Sequence, residues 1–288
     1  MMPRLLPYTL ILLLLLSLPA LANRFANVEI KATPLADNLF LLTGSGGNMA
    51  ALVTAQEVIL IDAQFAELAD KINAKLTEIS DGKALGTLIN THLHADHVGG
   101  NSALMPKRII AHDNVLTRLT ADPAFPRSGL PTETFSKQLS LHVGGRKIRL
   151  EYLPPSHTDG DVIVWFEDSN VLHMGDMLFE GRFPFIDLNN GGSVRGYIAN
   201  IAYVIDLIDD DTKVIPGHGE LTDKAGLQRF YQMMLQTLAQ VEQQQAKGLN
   251  AEQIVAAGLG EQWQSWHWNF ITEQRWINTL LQAEPLTQ

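Results

Sequence analysis

Thr91-His92-Leu93-His94-Ala95-Asp96-His97-Val98-Gly99-Gly100-Asn101 is the stretch on which the fold of this 288-residue chain turns. Three histidines and an aspartate fall within six residues. They follow directly on the apolar run from Thr87 to Thr91, which predicts a buried strand. At a strand end His92 and His94 point to one side, and the turn after them can bring Asp96 and His97 back toward the same space. Gly99-Gly100 lets the backbone pass closely. Imidazole and carboxylate are the groups that hold zinc when thiolate is missing, and the chain has no cysteine. A single histidine would read as a polar strand end. Four ligand-type groups at this spacing read as a metal site.

Upstream of this stretch, Val28 to Ala32, Leu39 to Thr43, Ala50 to Thr54 and Val58 to Ile61 predict strands, with Gly44-Ser45-Gly46-Gly47-Asn48 as a hairpin-type connection. Ala66 to Ile79 has a helical period that Asp81-Gly82 stops. Downstream, Arg108 to Ala111 predicts a strand and Asp113 to Thr120 a helix. A proline-containing loop then leads to strands at Leu139 to Val143, Lys147 to Tyr152, Val162 to Phe166 and Val171 to Met174. Ser193 caps a helix reaching Ile208, Lys213 to Ile215 is a short strand, and C-terminal helices follow from about residue 222. The tail holds Trp263, Trp266, Trp268 and Trp276, which read as packing against the domain rather than as a cofactor box. The alternation of elements predicts two similar α/β halves, packed sheet to sheet in a single domain over residues 23–288 with helices outside.

The first 22 residues read as a signal peptide: Arg4, an apolar run from Leu5 to Leu18, then the small-x-small site Ala20-Leu21-Ala22. The run falls short of the roughly 20 residues that cross a bilayer. The expectation is therefore a periplasmic or secreted protein, cleaved near Ala22 and without a membrane anchor afterwards. With 21 Lys+Arg against 31 Asp+Glu, the net charge is −10. Such a surface repels phosphate backbones, which excludes nucleic acid as a partner and leaves a small-molecule substrate. The sequence does not indicate an oligomeric state.

His-x-His-x-Asp-His at positions 92–97 resembles the signature of the metallo-β-lactamase superfamily. The resemblance extends over roughly residues 28 to 225, through His157 in Pro155-Ser156-His157-Thr158-Asp159-Gly160-Asp161, Asp176 in Gly175-Asp176-Met177 and His218 in Pro216-Gly217-His218-Gly219. It implies an αββα sandwich of two mixed sheets packed face to face. One metal would be held by His92, His94 and His157, a second by Asp96, His97 and His218, with Asp176 bridging. Two Zn2+ are implied, with Fe or Mn as possible occupants of one position. The implied chemistry is attack of a metal-bound hydroxide on an ester, lactone, thioester or amide carbonyl, with Asp96 also shuttling the proton. Asp62 matches a position that supports the ligands from behind; as a residue it reads equally as a strand-end turn.

Phe183 and Phe185, with Phe179 and Arg182 nearby, read as either a substrate wall or core contacts, and Arg195 and Tyr197 as groups for a substrate carboxylate or carbonyl. β-Lactamases of the superfamily usually carry cysteine or serine where this chain has Asp176, which weakens an antibiotic-hydrolysing role. Two readings from other classes stand beside the hydrolase: a mono-iron dioxygenase, and a non-catalytic accessory protein of a periplasmic oxidation system.

Overall fold

In the first sheet, apolar residues alternate with period two, and both faces are covered. Leu39, Leu41, Ala50, Leu52, Ile59 and Ile61 face inward, whereas Leu42, Met49, Ala51, Val58 and Leu60 face outward. The structure, a computed structural model, describes residues 24–283, so the expected leader at residues 1–22 lies outside the described residues. The first sheet comprises β1 (Lys31–Ala36), β2 (Leu39–Thr43), β3 (Met49–Val53), β4 (Val58–Ile61), β5 (Leu85–Ile89), β6 (Arg108–His112) and β7 (Glu133–Phe135), in sequence order across the sheet. Its first four strands are antiparallel, and β4 to β7 run parallel.

The second sheet has the order β12-β11-β10-β9-β8, built from β8 (Gln138–Val143), β9 (Arg146–Tyr152), β10 (Val162–Phe166), β11 (Val171–His173) and β12 (Lys213–Ile215). Only β11 and β12 pair parallel. Ile148, Leu150, Val162, Val164, Phe166 and Ile215 of this sheet meet the inward residues of the first in one buried cluster.

Helices cover the two outer faces. In chain order they are α1 (Ala69–Ser80), α2 (Ala95–Val98), α3 (Asn101–Leu104), α4 (Asp113–Ala121), α5 (Val194–Leu207), α6 (Lys224–Ala246), α7 (Ala251–Ala257) and α8 (Glu273–Leu280). Ile72 and Leu76 of α1 seal the first sheet. Tyr197, Ile201 and Val204 of α5 and Phe230 and Met234 of α6 seal the second, with Trp276 behind them. The layers are those of an αββα sandwich. Among the described residues, no helix is long and apolar enough to cross a membrane.

Two of the expected strands are displaced by more than one residue. The first strand begins at Lys31 rather than Val28, because its register is fixed by the tight turn to β2, where Asn38 sits at φ 60°. Pro34 is tolerated there because β1 is an edge strand. β5 ends at Ile89 rather than Thr91, because the Thr91 amide leaves the ladder to donate to Asp62 Oδ1 at 2.8 Å. The short β7 carries no period long enough to be seen in the sequence.

Candidate metal centre

Every donor lies just past a strand end or just before a strand start, on one rim of the sandwich. β5 leads into His92, His94, Asp96 and His97. His157 precedes β10, Asp176 follows β11, and His218 follows β12. The two halves of the chain thus deliver four and three donors to one place. His92, His94, His157 and Asp176 form one group, and Asp96, His97 and His218 a second; within each, the donor atoms lie within 4.8 Å of one another. Either group could hold a metal ion.

Asp176 faces both. Its Oδ2 lies 3.4 Å from His157 Nε2 and 3.7 Å from His92 Nε2. Its Oδ1 lies 3.0 Å from His97 Nε2 and 3.4 Å from His218 Nε2. Asp96 Oδ2 completes the second group, 3.2 Å from His218 Nε2 and 3.7 Å from His97 Nε2. Bonds of 2.0–2.2 Å to a tetrahedral zinc imply donor–donor edges of about 3.4 Å. These separations scatter around that value.

The far side of each ring fixes which nitrogen faces inward. A carbonyl or carboxylate can only accept, so His157 Nδ1 donates to Phe185 O (2.7 Å) and His94 Nε2 to Asp187 Oδ2 (2.9 Å). His97 Nδ1 donates to Asp62 Oδ2 at 2.7 Å. Thr91 Oγ1 also donates to Asp62 Oδ2, at 2.8 Å, and so accepts from His92 Nδ1 at 3.0 Å. In their neutral form, the one a metal requires, four histidines therefore turn a lone pair inward: His92, His97 and His157 through Nε2, His94 through Nδ1. His94 Nδ1 and His157 Nε2 stand 2.8 Å apart, and a proton or cation must reconcile the two.

The buried His92 Nε2, His97 Nε2 and Asp176 Oδ1 have no well-formed hydrogen bond among the described residues, although His97 Nε2 and Asp176 Oδ1 lie 3.0 Å apart. Buried polar atoms are rarely left so. The donor set fits divalent cations.

Charge reinforces the fit. Burial alone would lower the basicity of His97, but Asp176, Asp96 and Asp62 outweigh it and hold its pKa well above the usual value. Burial likewise opposes protonation of His218, yet Asp176 and Asp96 bring it to about 9. Burial works against the Asp176 carboxylate, and His218, His97, His92 and His157 overcome it, keeping the group ionised. Around the second group, negative charge is in excess and must be met by protons or by metal. On the other side, burial lowers His157 to about 3 and leaves it neutral, the form a metal requires.

Two glycines allow this crowding. A Cβ on Gly47 would come 2.1 Å from His97 Cε1, and one on Gly217 2.1 Å from Asp176 Oδ1. The 44–48 connection is therefore a wall of the site as well as a hairpin. Asn48 ties it across: its amide donates to Pro216 O and Gly219 O, each at 2.9 Å, on either side of His218. Asp62 is fully buried at φ 62°, a strained backbone held by its bonds to Thr91 and His97.

Above the donors lies a cavity of about 650 Å³, whose floor includes His94, Asp96, Asp176 and His218 and whose walls include Phe185. Three substrate-contact expectations need correction. Phe183 is fully buried in the core beside Trp276. Tyr197 is also fully buried, its hydroxyl donating to Asp176 O at 2.6 Å from behind the site. Arg195 pairs with Glu242 on α6 instead of reaching the cavity. Arg195 and Tyr197 are claimed by α5–α6 packing and Phe183 by the Trp276 ring of α8. Trp268, taken from the sequence as packing, stands in the wall with Phe270, Phe65 and Phe25. Asp187 was also missed, since no local pattern marks a partner 93 residues from His94.

A sequence model described as the Metallo-beta-lactamase superfamily matches residues 42–239. The chain is 28% identical to the type 2 metallo-beta-lactamase of Bacillus cereus over 181 residues, 62% of this chain and 68% of that one. The metallo-beta-lactamase from Pontibacter korlensis superimposes with a TM-score of 0.64 at 16% identity, covering 72% of this chain and 99% of the other. The stereoselective inverting sec-alkylsulfatase of Pseudomonas sp. gives 0.73 at 15% identity, covering 88% of this chain and 50% of that one. At such identities the two structures bear on the fold alone.

Proposed function

The chain belongs to the metallo-β-lactamase superfamily, and from that premise we propose that it is an exported hydrolase with two zinc ions, cleaving an ester, lactone, thioester or amide. The observation that carries this is the division of Asp176, one carboxylate oxygen toward His157 and His92, the other toward His97 and His218. His92, His94 and His157 would hold one ion, Asp96, His97 and His218 the other. Such ions would acidify a water molecule and polarise the carbonyl it attacks.

The chain's own groups do the rest. Asp96 lines the cavity with its side chain 24% exposed, which supports a role for it in taking a proton from the water and returning it to the leaving atom. Burial raises Asp96, but His97 and His218 more than offset it, so the carboxylate starts ionised and ready to accept. Asp62 and Asp187 orient rings from behind. The complete second group argues against a mono-iron oxygenase, which would leave Asp96 and His218 without a metal to hold.

Metal quantitation on the purified chain, followed by an ester, lactone, thioester and amide panel, tests the reading. Two equivalents of zinc and turnover of at least one class are expected. One iron per chain, or two zinc ions with no turnover anywhere, would overturn it. The similarity to the Bacillus cereus enzyme favours adding a chromogenic cephalosporin to the amides.

A further inference from the structure

The cavity wall is built from rings. Phe25, Phe65, Phe179, Phe185, Trp268 and Phe270 line it, and among the described residues no aliphatic side chain does, although leucine, isoleucine and valine dominate the interior elsewhere. The rings form two groups. Phe25 and Phe65 pack at 5.1 Å, with Phe65 near the Asp96 side. Phe185, Phe270, Trp268 and Phe179 form a continuous run at 5.3, 5.5 and 6.1 Å, with Phe185 5.5 Å from the His94 ring.

Both groups are fixed in place. Lys71 Nζ donates to the carbonyls of Phe25, Ala26 and Val28, holding the first segment down. Trp268 Nε1 donates to Phe183 O at 2.9 Å, and Arg275 to Phe270 O at 2.9 Å. Rigid rings lose little entropy on binding and prefer ring partners in offset or edge geometry.

Each group also carries an arginine. The Arg24 guanidinium lies 4.4 Å over Phe25 and 4.8 Å over Phe65. That of Arg275 lies 4.2 Å over Phe270 and 5.0 Å over Phe185. Both residues are exposed, and neither forms an ion pair with a carboxylate among the described residues. In a chain of net charge −10, Arg24 on the cavity lining and Arg275 stacked on two of the wall rings put local positive charge beside one aromatic cavity.

We infer that the substrate is an aromatic carboxylate-type anion: a flat ring system held among Phe65, Phe185, Trp268 and Phe270, its negative group drawn by the charge of Arg24 on the lining and of Arg275 on the Phe185 and Phe270 rings. The inference rests on the hydrolase reading only for where the scissile bond sits, over Asp96 and Asp176. Hydrolysis would add water across the acyl bond, the hydroxyl going to the carbonyl carbon and the proton to the leaving atom.

Binding of three probes by calorimetry tests it without turnover: naphthoate, naphthamide and cyclohexanecarboxylate. Naphthoate should bind roughly fivefold more tightly than naphthamide, as expected for rim charges, and this preference should shrink in salt. It should bind roughly tenfold more tightly than cyclohexanecarboxylate through ring contacts. The double variant Arg24→Gln/Arg275→Gln should erase the first preference. Trp268→Leu should erase most of the second, and the rim variant Phe270→Leu part of it, which covers the case where Trp268→Leu does not fold.

Equal binding of naphthoate and naphthamide, or a preference surviving the double arginine variant, overturns the charged rim. Equal binding of cyclohexanecarboxylate overturns the ring slot. If the probes bind as expected but no ester, lactone, thioester or amide is turned over, the hydrolase reading fails and the binding site stands. Turnover without these preferences has the opposite meaning.

Discussion

Asp62 Oδ2 and His97 Nδ1 stand 2.7 Å apart, and both side chains are wholly excluded from solvent. The same carboxylate accepts the Thr91 amide and hydroxyl, and through that hydroxyl reaches His92. One residue thus sets a ring in each donor group. Asp62→Ala would leave the Thr91 amide and His97 Nδ1–H buried without acceptors. The expected loss is about 3 kcal/mol of stability, read from urea denaturation. Zinc affinity should fall by roughly 10–100-fold. Unchanged affinity in a folded variant would mean that His97 needs no orientation.

Asp176→Ala removes the carboxylate that both groups share. The expected result is metal content falling toward one equivalent, with hydrolysis abolished. Metal analysis by mass spectrometry alongside the substrate panel checks it. Two tightly bound equivalents in this variant would refute the shared role.

Gly47→Ala is a steric probe with no change in charge. The new methyl would sit 2.1 Å from the His97 ring, which is pinned by Asp62 and cannot retreat. We expect about 1–3 kcal/mol of destabilisation from overpacking and selective loss of the ion at the second group. The double variant of Gly47→Ala with His97→Ala should regain stability relative to Gly47→Ala alone, since the clash partner is gone.

Asp187→Ala tests the partner of His94. Asp187 is itself held by Asn190, whose side-chain amide donates to it at 2.7 Å. His94 holds the Asp187 carboxyl well below its usual range. Without it His94 Nε2 loses its acceptor, and either nitrogen can then face inward. Affinity at the first group should drop by roughly 10–100-fold, with the second group little changed. Competition with a chromophoric chelator separates the two; equal weakening of both would argue against this assignment.

Four of the seven candidate donors were legible from the residues themselves, and the other three only through the family resemblance. Four are crowded into residues 92–97, and His157, Asp176 and His218 each border a short apolar run. The sandwich was legible from the alternation of strand and helix segments along the chain, which suggests two similar halves packed sheet to sheet. What surrounds the donors was not. Asp187 and Trp268 reach the site from 93 and 174 positions beyond His94, along loops with no period, and only the folded chain brings them near. Phe183, Arg195 and Tyr197 failed as substrate contacts for the converse reason. Phe183 turns into the core against Trp276 of α8, and α5 turns Arg195 and Tyr197 toward α6. Phe183 and Phe185 are two residues apart, and one is core while the other is wall.

Neither sheet carries a full coordination set: His92, His94, Asp96 and His97 come from the first, His157, Asp176 and His218 from the second. A cation can thus be gripped only after the two layers have docked, and once gripped it acts as a clasp between them. Uptake of metal would then report the final closing event of folding. A chelator should lower the unfolding temperature of the whole chain; the stability it removes grows with the logarithm of the free zinc withdrawn, and for one site held at a hundred times its dissociation constant it is about 2.7 kcal/mol.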